Sequence, residues 1–266
     1  MKMEKYNETD QLIHELSQFL ARVNRTYVEK LEDDSHTNLF FDSIRNRLLG
    51  RWFILGHRKY LVALDIKDLI FELIDETLTV IKSIYVVGKE LKQVSSDILK
   101  AIQDQGFNPE NFNDPMHYKI PDYNLGNSKI KLPDPEGLNQ WIKFRSLANE
   151  AVFMFAGYFQ ASPDARIWPH HFDTGMYKQV NEKIGLGFGL AMKDSLVGEP
   201  YFYLSGYSGT EAIDYSDVPE IKSEWIISEN WKGAILRLAD FSDDSNYNRK
   251  LVSEFITKVV SWYLKS

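Results

Sequence analysis

The sequence predicts an α+β fold in which antiparallel sheet is covered by helices packed on one face. Three observations carry that expectation. Helical periodicity opens, interrupts and closes the chain, and short runs rich in β-branched and aromatic residues lie between. The breaks joining most of those runs are too short for a parallel crossover, which needs a dozen or more residues.

Each element has its own reason. From Thr9 to about Leu31 the apolar residues Leu12, Leu16, Phe19, Leu20, Val23 and Tyr27 recur at helical spacing, with Thr9 or Asp10 as the expected cap. After Glu32–His36 come strand-like runs at Leu39–Phe41, Leu48–Leu55, Tyr60–Ile66, Leu69–Ile74 and Leu78–Val87. Turn-like breaks such as Lys67-Asp68 separate them, so they read as a meander. Lys89 to about Gln105 is helical, and Gly106 stops it. Between Phe107 and Gly137 fall five of the nine prolines, which cannot donate to a ladder, so this stretch reads as an extended crossover. Asn139 to about Phe159 is a helix whose second half, Ala151–Ala156, is apolar all round and therefore expected to be buried on most sides. Strands follow at Arg166–Tyr177, Ile184–Met192 and Pro200–Tyr207, with weaker ones near Glu224–Ile227 and Ala234–Leu238. A helix from about Asn246 to Leu264 closes the chain, and Asp243 and Asp244 stand where carboxylates favour a helix start. Both halves thus read helix, strands, helix: residues 1–106, a proline-rich crossover at 107–136, and 137–266, together one compact unit.

Composition narrows the function classes. The chain has 266 residues, enough for a core that needs no metal or disulfide staple. There is no cysteine, which excludes disulfides, thiolate nucleophiles and Cys-ligated clusters. A formal net charge of −7 argues against nucleic acid as a partner. The arginines between Ser43 and Leu64 read as a solvated sheet edge rather than an anion strip. Residues 1–8 carry no apolar core of a secretory signal, and the longest apolar-rich stretch, Ala151–Pro163, is short of the about 20 residues that span a membrane. The expectation is a cytoplasmic protein that uses no membrane.

Candidate site residues cluster in the second half. In Arg166–Tyr177, strand alternation puts Trp168, His170 and Phe172 on one face and His171 and Asp173 on the other. An imidazole and a carboxylate two residues apart on one face suit proton transfer, with Asp173 orienting His171; the competing reading is packed or surface side chains. Ile184–Met192 fails the dinucleotide fingerprint because Leu190 stands at the third glycine position. Its period is two, which leaves Gly185, Gly187 and Gly189 as a bare strand face. On the next strand Tyr201, Tyr203 and Tyr207 stand over that face. They either fill the gap or wall a groove. Glu150 interrupts the apolar helix as a buried polar anchor or as a partner of Arg145 or Arg166. With no Cys and one local His–carboxylate pair, no metal site is expected, and the sequence leaves the identity of any cofactor open.

The Trp168–Asp173 block, the preceding Phe144–Glu150 segment, the Gly185–Tyr207 hairpin and the Trp52–Tyr60 hairpin together resemble a family of uncharacterised bacterial proteins, a domain of unknown function. The resemblance implies a bacterial cytosolic protein and assigns no catalytic role. The leading expectation is a protein that binds a small molecule in a groove lined by Glu150, Trp168, His170, Gly187, Tyr201 and Tyr203, with His171 and Asp173 as the proton-transfer pair if it is an enzyme. The alternative is an interaction or homodimer module presenting its aromatic strand face. A metal-dependent hydrolase comes third.

Overall fold

The computed structural model describes residues 3–126, 128–209, 212–222 and 224–265. Within them the elements run α1 (Glu4–Tyr27), β1 (Phe40–Asp42), β2 (Arg47–Leu49), β3 (Phe53–Leu55), β4 (Arg58–Asp65), β5 (Ile70–Asp75) and β6 (Val80–Tyr85). Then come α2 (Leu91–Gln103), α3 (Pro135–Tyr158), β7 (Arg166–Trp168), β8 (Asp173–Gln179), β9 (Ile184–Ala191), β10 (Tyr201–Ser208), β11 (Glu224–Ile227), β12 (Lys232–Arg237) and α4 (Ser245–Tyr263). The fold is α+β with antiparallel sheets, as the alternation of periods requires. No helix among the described residues is long and apolar enough to cross a membrane.

The chain forms two compact units. One comprises Glu8–Ile142 and Ile167–Phe172, the other Met1–Asn7, Lys143–Arg166 and Asp173–Ser266. In the first, the sheet runs β1-β2-β4-β5-β6, with β3 also paired to β4. Phe19 of α1 meets Phe71 of β5 edge-on at 5.8 Å. Up to Asp134 the described residues of the proline-rich crossover form no helix or strand, yet the segment is held. Arg25 donates to the carbonyls of Asn111, Phe112, Asp114 and Pro115 at 2.5–3.2 Å, and the Tyr27 hydroxyl donates to Asn108 O at 2.9 Å.

In the second unit β11, β12, β10, β9 and β8 are successive antiparallel neighbours. Leu186, Phe188, Leu190, Phe202 and Leu204 are buried. Phe155 of α3 stacks on Phe188 at 5.2 Å, which identifies this as the helix-covered face. The wholly buried Arg145 reaches the same face and donates to Thr174 Oγ1 at 2.9 Å. Asp244 caps α4 by accepting from the amides of Asn246 and Tyr247, the role its sequence position suits.

Three expectations need correction. Helix α1 begins at Glu4, not at Thr9 or Asp10; both are buried, and the Asp10 carboxylate accepts a bond from Trp141 Nε1 at 2.7 Å instead of capping. The Leu48–Leu55 run is two strands, because the Gly50 amide turns to Val62 O and the Arg51 amide to Asn24 Oδ1. Finally, Arg166–Tyr177 is not one strand. A turn over Pro169–Phe172 separates β7 from β8, with Phe172 in the left-handed region at φ 55°.

Candidate functional site

The turn at Pro169–Phe172 is built by α1. His14 is buried, and one ring nitrogen, Nε2, lies 2.9 Å from Pro169 O while Nδ1 lies 2.7 Å from the Tyr123 hydroxyl. A carbonyl can only accept, so Nε2 carries the proton and Nδ1 accepts from Tyr123. Gln18, one helical turn on, donates to the same carbonyl at 2.8 Å, and Tyr118 donates to Gln18 Oε1 at 2.9 Å. Phe172 stacks on His14 at 4.9 Å and on Trp141 at 6.3 Å. Two side chains therefore fix one carbonyl, and two rings clamp the residue whose backbone is strained. This arrangement overrides strand alternation in the Trp-Pro-His-His-Phe-Asp block.

The consequences for the expected site are direct. His171 is exposed on the turn, with its ring 4.4 Å from that of His170. His170 packs between Trp168 and Tyr118 at 6.0 and 5.6 Å. Asp173 opens β8, so it shares no strand face with His171, and the two belong to different compact units. The Asp173 carboxylate instead accepts from the Tyr203 hydroxyl at 2.6 Å. Burial and the adjacent carboxylate both push the Tyr203 hydroxyl well above the ordinary phenol range, which keeps it a neutral donor. Tyr201 donates to Asp194 in the same manner at 2.7 Å, and burial raises its hydroxyl too. Glu150 is no buried anchor. It forms a two-point ion pair with Arg249, at 2.6 and 3.1 Å, and neither Arg145 nor Arg166 is its partner there.

The glycine face has a definite occupant. Strands β9 and β10 pair in the register Tyr203↔Gly189, Ser205↔Gly187 and Tyr207↔Gly185, so tyrosines and glycines share one face. A Cβ on Gly189 would lie 2.9 Å from the Tyr203 hydroxyl, one on Gly187 3.1 Å from the Tyr207 ring, and one on Gly185 inside the Tyr177 side chain. The rings lie on bare backbone, so no groove runs along this face: the gap is filled. Tyr203 is covered there, whereas Tyr177 and Tyr207 remain 55% and 52% exposed, with ring centroids 5.9 Å apart.

A groove does exist at the end of this sheet, where β10 runs out and β12 begins. It has a volume of about 420 Å³. Its lining includes Tyr207, Tyr215, Trp231, Lys232, Asn230 and Glu229. Trp231 rests on Gly233, whose absent side chain gives the indole its seat: a Cβ there would come within 2.7 Å of the ring. The Lys232 ammonium stands 5.6 Å over the Tyr215 ring. The volume falls within the roughly 300–1,000 Å³ common for small-ligand sites. Sequence reading found only Tyr207 among these residues, because Tyr215 and Trp231 sit in loops outside any period. The one local signal was Trp231 two residues before Gly233, the same ring-on-glycine device as in the hairpin.

Among the described residues no group of three or more His, Asp or Glu side chains gathers closely enough to hold a metal ion. Comparison with known proteins gives no match to any family model, curated protein or solved structure.

Proposed function

We propose that this is a cytoplasmic protein that binds a small organic molecule in the groove walled by Tyr207, Tyr215 and Trp231. The observation that carries the reading is the combination of size and wall: about 420 Å³ of concavity lined by three aromatic side chains, with an amide, a carboxylate and an ammonium among the polar groups. The reading moves the binding site away from His171 and Asp173, for which the turn at Pro169–Phe172 removes the shared strand face. A mildly acidic, cysteine-free composition agrees with a cytoplasmic setting. A second reading, an interaction or homodimer face, draws on the exposed pair Tyr177 and Tyr207.

Saturation-transfer NMR on the full chain tests the first reading with adenosine, tryptophan, benzoate, inorganic phosphate and glucose as probes. At least one probe should bind, and Trp231→Ala should weaken it about tenfold or more, on the order of 1.4 kcal/mol. No binding, or binding indifferent to Trp231, would refute it. Dimerisation that is abolished by Tyr177→Ala would favour the second.

A further inference from the structure

We infer that the groove takes a polyhydroxylated chain, an oligosaccharide, which enters it past Tyr207 and continues over Tyr177. The inference rests on the groove being a ligand site and names what that ligand is. A pyranose ring presents a face of C–H groups that packs on an aromatic ring and an edge of hydroxyls that pair with amides and carboxylates. The groove offers both: Tyr207 and Trp231 as ring faces, Asn230 and Glu229 as hydrogen-bonding groups. Among the described lining residues the charged side chains, Glu229 and Lys232, are of opposite sign, so those residues bring no formal net charge to favour a charged ligand over a neutral one. Lys232 already covers the Tyr215 ring, which leaves Tyr207 and Trp231 as the stacking surfaces.

Two further observations favour a chain over a single sugar. Tyr207 belongs both to the groove and to the exposed pair with Tyr177, so the aromatic surface continues beyond the concavity. All three rings are braced from beneath by glycine backbone, Tyr177 by Gly185, Tyr207 by Gly187 and Trp231 by Gly233. A braced ring loses less freedom when a ligand stacks on it, so weak contacts summed along a chain are not cancelled by ordering cost. Gap filling alone accounts for the covered Tyr203. It does not account for two tyrosines seated against glycines with more than half of their surface in water.

Calorimetric titration of the full chain with soluble hexasaccharides of glucose (α- and β-linked), xylose, mannose and N-acetylglucosamine tests this, with benzoate and adenosine monophosphate as charged planar controls. One hexasaccharide should bind at least tenfold tighter than its monosaccharide. Glu229→Gln and Asn230→Ala, both at exposed positions, should each weaken it severalfold without moving the urea midpoint. Tyr177→Ala should weaken the hexasaccharide and leave the monosaccharide unchanged. If only the planar controls bind, and Trp231→Ala weakens them, the saccharide inference fails while the groove reading stands. If nothing binds, both fail. Saccharide binding that ignores all of these substitutions places the site elsewhere and overturns the inference.

Discussion

Gly189→Ala should destabilise the fold by about 2–4 kcal/mol, while Gly187→Ala, two residues earlier on the same strand face, should cost less than about 1 kcal/mol. At Gly189 a methyl group would lie 2.6 Å from Thr174 O and 3.0 Å from Gly175 Cα, both backbone atoms of the paired strand, and 2.9 Å from the Tyr203 hydroxyl. Forcing a methyl into packed backbone costs typically about 1–3 kcal/mol. Displacing Tyr203 breaks its bond to the Asp173 carboxylate, and hydrogen bonds to charged groups are worth about 1.5–3 kcal/mol. Replacing a strand glycine by alanine returns about 0.5–1 kcal/mol through the unfolded chain. At Gly187 the three atoms nearest the methyl would all belong to the Tyr207 side chain, at 3.1–3.7 Å, and an exposed ring can lift away. Urea unfolding followed by circular dichroism, with a shared slope, gives the two differences. Adding Tyr203→Phe to the Gly189 variant should cost little more, because the bond is already lost. Equal losses for the two alanines, or a Gly189 variant as stable as the parent, would refute the account of rings seated on backbone.

Two further outcomes are expected. His14→Phe preserves the stack on Phe172 but removes a bond to Pro169 O, and should cost about 1–3 kcal/mol; with Gln18→Ala added, that carbonyl loses both donors, and a double-mutant cycle should show coupling above about 0.5 kcal/mol. Burial raises the Glu15 carboxyl above its ordinary value, against a smaller opposing pull from Arg22. The folded state therefore holds that proton more tightly than the unfolded chain does, and stability falls as pH rises from the unfolded carboxylate range through the higher folded value. Glu15→Gln should accordingly gain stability relative to the parent between about pH 4 and pH 7, as read from urea midpoints across that range. A constant difference across the range would contradict the shift.

The parts of the fold that were legible in the sequence are those decided by neighbours in the chain. Alternation of glycine with Leu186, Phe188 and Leu190 set β9, and the nine residues between Ala191 and Tyr201, too few for a parallel crossover, forced an antiparallel return to β10. Asp244 announced α4 because capping is a matter of three residues. What failed was decided at a distance. The break at Phe172 comes from His14 and Gln18, more than 150 residues away, which hold Pro169 O, and from Trp141 beneath the ring. On α1 those two polar residues look like a solvated stripe. Glu150 was misread for the same reason, since its partner Arg249 lies 99 residues on. The groove was hidden because Tyr207, Tyr215 and Trp231 come from separate stretches, and no period links them.

Arg25 grips the crossover through four backbone carbonyls. Every amino acid supplies a carbonyl, so the exposed positions 113–115 are free to drift in identity as long as their backbone path is kept, whereas Phe112, wholly buried, and Asn111, at φ 66°, are held by their own side chains. That places the burden of heredity on one guanidinium. Lysine could present its charge but not the planar fork that reaches several acceptors at once. Substitutions at 113–115 should therefore accumulate almost silently, whereas a single change at Arg25 would remove all four of these bonds and loosen the strap towards proteases. For the engineer the asymmetry is useful: the exposed positions 113–115 are where substitutions can be written into this protein, and Arg25 is the residue to leave untouched.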